Sequence, residues 1–115
     1  MKRGDIYLVD YGPSRGSEPN KARPAVIVSN DGANAAVERT GRGVVTLVPL
    51  TTSTARVYPF QVLLPAGEAG LLKDSKVQCE HVRALAPERL LRPIGSVPAQ
   101  RMAEIDTALR RHLAL

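Results

Sequence analysis

The side chains that could carry acid–base or nucleophilic chemistry are few and scattered along the chain. There are two histidines, His81 and His112, and one cysteine, Cys79. Zinc ligation within one chain is therefore poorly supported, and no group of carboxylates has the spacing of a two-metal nuclease site. Gly16-Ser17-Glu18 is not a nucleophile elbow, because it follows a loop and lacks the second glycine. An enzyme with this sequence is expected to work without metal or cofactor.

The charge balance favours a polyanionic partner. The chain of 115 residues has a formal net charge of +5. Nucleic acid, an anionic membrane and an acidic protein are all partners that such a balance suits. The basic residues are spread along the whole chain, however, so a solvated basic surface explains the charge equally well.

Length and composition predict one globular domain, residues 1–115, with 43% hydrophobic and 23% charged residues. A single cysteine allows no intrachain disulfide, which fits a reducing cytoplasm. The opening MKRGDIYLVD has no long apolar region, so a signal peptide is not expected. No stretch approaches the roughly 20 apolar residues that span a bilayer. The expected location is the cytoplasm, without membrane contact.

Short apolar runs between turn residues predict a mainly β fold. Strands are predicted from β-branched and aromatic content at 4–10, 24–29, 43–50, 57–64, 75–85 and 92–96. Pro49 is expected to end the regular pairing of its strand. Residues 12–23 form a long loop by their Gly, Pro and Ser content. Residues 30–42 are polar, with one helical turn predicted through the alanines.

Proline marks the predicted start of two C-terminal helices. Pro87 opens a short helix over PERLL, where its missing N–H has no cost, and Pro98 opens the last helix. Met102, Ile105, Leu109 and Leu113 recur at helical spacing and form one apolar stripe. Several short strands with one strong helix at the end predict a small antiparallel barrel capped by helices.

Three motifs occur in a characteristic order. They are Arg3-Gly4-Asp5-Ile-Tyr-Leu-Val-Asp10 running into Gly16-Ser17-Glu18, Arg23-Pro24-Ala-Val-Ile-Val-Ser-Asn30, and Val48-Pro49-Leu50-Thr51-Thr52-Ser53. Their order and spacing resemble those of the MazF/PemK toxins. The likeness continues through Tyr58-Pro59-Phe60 and Cys79-Glu80-His81-Val82-Arg83 to the terminal helix, so it covers almost the whole chain.

The resemblance implies a fold and a function. MazF/PemK toxins fold as a small SH3-like antiparallel barrel with a C-terminal α-helix, and they form homodimers. They cleave single-stranded RNA, often at short specific sequences, without a metal. A cognate MazE-like antitoxin holds each toxin inactive through an acidic C-terminal tail.

Arg23 and Thr51 match the catalytic arginine and threonine of this family. Metal-free cleavage uses the 2′-OH of the substrate as nucleophile and needs a proton acceptor, a proton donor and positive charge on the phosphorane. The planar guanidinium of Arg23 suits a phosphate, and the hydroxyl of Thr51 can donate to a phosphate oxygen. Arg23 is expected to stabilise charge first, because a pKa above about 12 makes arginine a poor proton shuttle. Without the resemblance, both residues are ordinary strand-end side chains.

Two carboxylates are candidates for the remaining catalytic roles. Glu18 lies in the Gly-Ser-Glu signature and either accepts a proton or organises its loop. Some family members carry Arg-x-Asp where this chain has Gln78-Cys79-Glu80. Glu80 can replace that aspartate as a base, whereas Gln78 cannot replace the charge of the arginine. His81 has a suitable unperturbed pKa but would face away from Glu80 on a regular strand.

The other side chains expected at the RNA are polar or aromatic: Ser17, Lys21, Thr52, Ser53, Tyr58, Gln78 and His81. The loop at 12–22 is expected to lie over the site and to move when RNA or antitoxin binds. Two alternatives stay open. One is a CcdB-like toxin that binds DNA gyrase and cuts nothing, and the other is a plain RNA-binding barrel in which Arg23 is one phosphate contact among many.

Overall fold

The computed structural model describes residues 1–12 and 22–115. Within these ranges the elements follow in the order β1 (Asp5–Asp10), β2 (Ala22–Ile27), α1 (Asp31–Thr40), β3 (Val45–Thr51), β4 (Gln61–Leu64), β5 (Ser75–Gln78), β6 (Arg83–Leu85), β7 (Leu90–Ser96) and α2 (Ala99–Leu113). Short 3₁₀ helices at Cys79–His81 and Pro87–Arg89 flank β6. The predictions for Ser17, Glu18, Lys21 and most of the 12–23 loop lie outside the described residues.

The strands form one antiparallel sheet in the order β4-β5-β3-β2-β1-β7, and β6 is a further partner of β3. Strand β3 pairs with β6 through its first residues, with β2 through its middle and with β5 through its end. The sheet does not close, since β4 and β7 at its two edges are not paired with each other. The predicted small antiparallel β fold with a C-terminal helix is confirmed.

The predicted strands differ from the observed ones in their bounds, most of all in three places. The strand predicted at 57–64 begins only at Gln61, after Pro59, which has no N–H for a ladder. The stretch 75–85 is not one strand but β5 and β6, because the 3₁₀ helix Cys79–His81 takes up three residues between their two ladders on β3. Strand β3 also runs past Pro49 to Thr51, changing its partner from β2 to β5.

Helix α1 is longer than the single turn predicted from its alanines. It spans ten residues and begins after Asn30, whose side-chain oxygen accepts a hydrogen bond of 2.8 Å from the N–H of Ala33. Gly41 ends it with φ of 68°, the left-handed conformation common at helix ends. Only Asn34 and Val37 are buried, so the apolar pattern of this helix is weak.

The core has two parts. The larger one lies under α2, where Ile105 and Ala108 are buried against β-strand side chains such as Val48 and Val77. Met102 and Leu109 of the predicted stripe pack against it, whereas Leu113, at the end of the helix, is 49% exposed. The smaller part lies beneath α1. The short helix predicted over PERLL is the 3₁₀ helix Pro87–Arg89, and β7 begins directly after it.

Candidate active site

The start of β2 and the end of β3 lie side by side because the two strands run antiparallel. Ala25 is opposite Pro49 in their register. Arg23 lies two residues before Ala25, and Thr51 lies two residues after Pro49, so both are at the same end of this strand pair. Both residues line one cavity of about 250 Å³. Two residues selected from separate sequence motifs are therefore neighbours in space.

The rest of the cavity lining combines apolar walls with hydroxyl groups. Pro24 and Leu50 supply the apolar part, and Thr52 and Ser75 supply hydroxyls beside Thr51. The hydroxyl of Ser75 donates to the carbonyl of Lys73 at 3.1 Å, so it can only accept a further bond. Ser75 was not predicted, because its place follows from the pairing of β5 with β3 and not from any local motif.

The hydroxyl of Thr51 is able to act as a donor. Its oxygen accepts a hydrogen bond of 3.2 Å from the backbone N–H of Ser53, which leaves the hydroxyl proton unused by that bond. Thr51 is half-buried, while Arg23 is exposed at the mouth of the cavity. A guanidinium and a hydroxyl donor at one small cavity form a donor set that suits a phosphate group. Ser53 is exposed and does not line the cavity.

The residues predicted on the strand at 78–81 lie apart from this lining. Gln78, Glu80 and His81 do not border the cavity. Glu80 accepts a hydrogen bond of 2.6 Å from the side-chain amide of Gln61, and its second oxygen is buried without a partner among residues 1–12 and 22–115. Glu80 and His81 belong to a 3₁₀ helix, so the expectation that they face opposite sides of a strand was wrong.

An exposed aromatic platform lies next to β5. Tyr58 is 42% exposed and stacks on Phe60, with ring centroids 5.4 Å apart and planes within 2° of parallel. Two cations face the Tyr58 ring, the guanidinium carbon of Arg56 at 5.7 Å and Nζ of Lys76 at 5.9 Å from its centroid. Lys76 is also the strand partner of Thr51. Lys76 is buried and its Nζ donates a hydrogen bond of 2.6 Å to the carbonyl of Arg56, so Arg56 is the exposed cation at this ring. An exposed aromatic side chain beside an exposed arginine suits contact with a nucleic acid.

Comparison with known protein families gives a match over residues 2–113 to the family described as the PemK-like, MazF-like toxin of type II toxin–antitoxin systems. The chain belongs to the PemK/MazF toxin family. This confirms the resemblance inferred from the three motifs, whose described residues lie mainly on β1, β2 and β3.

Individual relatives of this PemK/MazF toxin cover its whole length. It is 58% identical to "Endoribonuclease MazF9" of Mycobacterium tuberculosis, over all of this chain and 98% of that one. Among solved structures it is similar to an endoribonuclease in complex with its cognate antitoxin from a mycobacterial species, with a TM-score of 0.77 and 30% identity, over all of this chain and 96% of that one. It is also similar to the MazE–MazF complex of Deinococcus radiodurans, with a TM-score of 0.79, 28% identity and the same two shares of coverage.

A second aromatic residue of this PemK/MazF toxin lies among arginines. The guanidinium carbon of Arg83 is 5.5 Å from the centroid of the Tyr11 ring. Burial raises the pKa of the Tyr11 phenol to about 12, although the charges of Arg83 and Arg23 lower it. The phenol is therefore protonated at neutral pH. Its oxygen is buried and has no hydrogen-bond partner within the described ranges. Arg83 was not predicted as part of the site.

The remaining groups offer no further reaction centre in the described part of this toxin. Cys79 is fully buried, and burial, with the Glu80 carboxylate beside it, raises the pKa of its thiol to about 12. Among residues 1–12 and 22–115, no group of three or more His, Cys, Asp or Glu side chains could hold a metal ion. No helix in the same ranges is long and apolar enough to cross a membrane.

Proposed function

We propose that this toxin is an endoribonuclease that cuts single-stranded RNA at a short specific sequence, without a metal, by attack of the substrate's own 2′-OH. The observation that carries the proposal is the single cavity lined by both Arg23 and Thr51. The enzyme class is supported by the endoribonuclease name of a relative that is 58% identical over the whole chain.

In the proposed reaction the scissile phosphate lies in the cavity. The guanidinium of Arg23 and the hydroxyl of Thr51 bind its non-bridging oxygens and stabilise the charge of the phosphorane. The 2′-oxygen forms a bond to phosphorus as its proton leaves to a base, and the bond from phosphorus to the 5′-oxygen breaks as that oxygen gains a proton. The products are a 2′,3′-cyclic phosphate and a 5′-OH end. DNA has no 2′-OH and is not cut.

Glu80 is our candidate for the proton acceptor. Its buried second oxygen is an acceptor without a partner in the described residues, while Gln61 orients the carboxylate through the first oxygen. Since Glu80 does not border the cavity and its second oxygen is buried, proton transfer from the 2′-OH requires that the Glu80 carboxylate become exposed when RNA binds. Glu18 is the second candidate, as a base or as the organiser of its loop.

Bases on either side of the scissile phosphate bind next to these groups. Tyr58 is the proposed aromatic contact to a base, because it is exposed and lies beside the exposed guanidinium of Arg56. Thr52, Ser53, Gln78 and His81, together with Ser17 and Lys21, are the proposed polar contacts to the RNA.

The proposed assembly is a cytoplasmic homodimer neutralised by a MazE-like antitoxin. Several of the solved structures similar to this chain are toxin–antitoxin complexes. The net charge of +5 suits an antitoxin that covers the toxin with an acidic C-terminal tail.

The proposal is tested with purified protein, a long single-stranded RNA and excess EDTA, followed by analysis of the new ends. Cyclic phosphate and 5′-OH ends support it, and the matching single-stranded DNA should stay intact. RNA that remains whole while DNA gyrase is poisoned would establish the gyrase-binding alternative. Whole RNA that is bound with strong salt dependence would reduce the protein to an RNA-binding barrel.

A further inference from the structure

A second and larger cavity adjoins the active-site cavity. It has a volume of about 490 Å³ and shares Pro24, Thr52 and Ser75 with the lining of the first. Its far wall is formed by Leu71–Lys73 on one side and by Arg92–Ile94 of β7 on the other. We call it the flanking groove. Its volume lies within the range of about 300–1,000 Å³ that is usual for sites of small ligands.

The two sides of the flanking groove are held close together. At Gly95, a Cβ atom would lie 2.0 Å from the carbonyl oxygen of Ala69, so the backbone of the 65–71 segment packs directly on β7. Arg101 of α2 binds both carboxylate oxygens of Glu68, at 3.0 and 3.2 Å, and thereby fixes the same segment from the other side. Packing within the chain thus fixes the segment that leads into Leu71–Lys73 against β7.

The flanking groove is positively charged. Lys73 and Arg92 are exposed on its opposite sides, and no acidic residue belongs to its lining. The neighbouring residue Asp74 does not line the groove, and its carboxylate accepts a hydrogen bond of 2.8 Å from the N–H of Ala66. Lys73 and Arg92 form no ion pair within the described ranges. Both cations therefore present exposed positive charge to the groove.

The groove also presents apolar surface to solvent. Leu72 is 95% exposed, and Pro93 is exposed across the groove from it. Exposed apolar side chains between two cations suit a ligand that combines a flat apolar group with negatively charged groups at regular intervals. A nucleotide of single-stranded RNA has both, in its base and its phosphate.

We propose that the flanking groove binds the nucleotide adjacent to the scissile phosphate. Lys73 and Arg92 contact the neighbouring phosphate, and Leu72 and Pro93 contact the base. The groove thereby contributes to which RNA sequence is cut. This inference rests on the proposed function, because the strand enters the groove from the cavity of Arg23 and Thr51. A peptide is less well matched, since the groove continues into a cavity whose donors suit a phosphate.

The double variant K73A/R92A tests the inference, with R39A/R42A as the matched control. The control also removes two exposed positive charges, and neither Arg39 nor Arg42 lines the groove or the active-site cavity. The probe is a 2′-O-methyl RNA, which binds but lacks the attacking hydroxyl. Its affinity is measured over a series of salt concentrations.

Each contact with a single-stranded phosphate contributes about 0.7 to the slope of log K against log salt. Because Lys73 and Arg92 contact one phosphate, the slope for K73A/R92A should be shallower than that of the wild type by about 0.7, while the slope for R39A/R42A stays closer to the wild-type value. Circular dichroism melting should be unchanged in both variants, because all four side chains are exposed. On cleavable RNA, K73A/R92A should also show altered site preference.

Equal slopes for K73A/R92A and R39A/R42A would overturn the inference. So would an unchanged RNA slope combined with lost affinity for poly-glutamate, which would assign the groove to an acidic protein partner. These results are distinct from failure of the proposed function, which is diagnosed by wild-type protein that leaves RNA intact in EDTA. If the wild-type protein left RNA intact but K73A/R92A still showed a shallower salt slope than the wild type, the groove would remain an RNA-binding site.

Discussion

Arg23 and Thr51 line the same cavity because β2 and β3 are paired in antiparallel register with Ala25 opposite Pro49. Neither side chain is part of the buried core, since Arg23 is exposed and Thr51 is half-buried at the end of its strand. Substitutions at these positions should therefore change cleavage much more than stability, which separates chemistry from folding in the variants below.

Replacement of Arg23 by alanine should reduce cleavage by about 10²–10³-fold, which is the usual effect of removing one group that stabilises transition-state charge. Arg23→Lys should retain part of the activity, because lysine keeps the charge but loses the planar fork. Single-turnover cleavage of RNA measures both effects. Arg39→Ala removes an exposed arginine on α1 and serves as the control. Wild-type rates in Arg23→Ala would remove the central residue of the mechanism.

The hydroxyl of Thr51 should matter more than its shape. Thr51→Val keeps the branched side chain but not the hydroxyl, and it should lower the cleavage rate by about 10²-fold. Thr51→Ser keeps the hydroxyl and should retain most of the wild-type rate. Thr46→Val, on the same strand but outside the cavity, is the matched control. The values of kcat and KM are measured separately, because loss of a hydrogen-bond donor that acts on the phosphate in the transition state lowers kcat. Equal rates for the valine and serine variants would exclude a role for the hydroxyl.

Glu80→Gln tests the proposed base. The substituted amide can still accept the hydrogen bond from Gln61, so thermal melting should change little. Cleavage at neutral pH should fall by about 10²-fold or more, as expected for loss of a general base, with RNA affinity retained. Glu88→Gln, at an exposed position, is the control. If Glu80→Gln cleaves at the wild-type rate, Glu18 becomes the carboxylate to test.

The sequence predicted most of the elements, and its family motifs singled out Arg23 and Thr51, which line one cavity, but it did not predict the long-range pairing. The 3₁₀ helix at Cys79–His81 exists because β5 and β6 pair with different parts of β3, which no local pattern in 75–85 records. Ser75 joins the cavity through the same pairing. Helix α1 was underestimated for a different reason, since only Asn34 and Val37 are buried and its apolar periodicity is weak.

The Tyr11 phenol should titrate at a pKa of about 12, above its ordinary value of 10.0, because burial disfavours the charged form. A raised pKa in the folded state means that this contribution to stability is complete below pH 10 and is lost as the pH rises towards 12. The difference in ultraviolet absorbance between wild type and Tyr11→Phe gives the pKa directly. Urea unfolding at rising pH should show less alkaline destabilisation in Tyr11→Phe. A difference spectrum that titrates near 10 would mean that the phenol is not buried in solution.

The close packing of Gly95 against the 65–71 segment makes the flanking groove sensitive to one methyl group. A Cβ atom at Gly95 would lie 2.0 Å from the carbonyl oxygen of Ala69, and because that atom is backbone, the whole segment must shift. Gly95→Ala should therefore lower the free energy of unfolding by about 1–3 kcal/mol, as overpacking usually does.

Gly67→Ala is the control for Gly95→Ala, since Gly67 has φ of 89° but open space where a Cβ would be. It should show only the cost of a positive φ, about 1 kcal/mol. Urea denaturation measures both values. Because the displaced 65–71 segment ends at Leu71 and leads directly into Leu72 and Lys73, Gly95→Ala should also weaken binding of 2′-O-methyl RNA, whereas Gly67→Ala should not. Wild-type stability and RNA affinity in Gly95→Ala would show that the segment does not pack against β7 in solution.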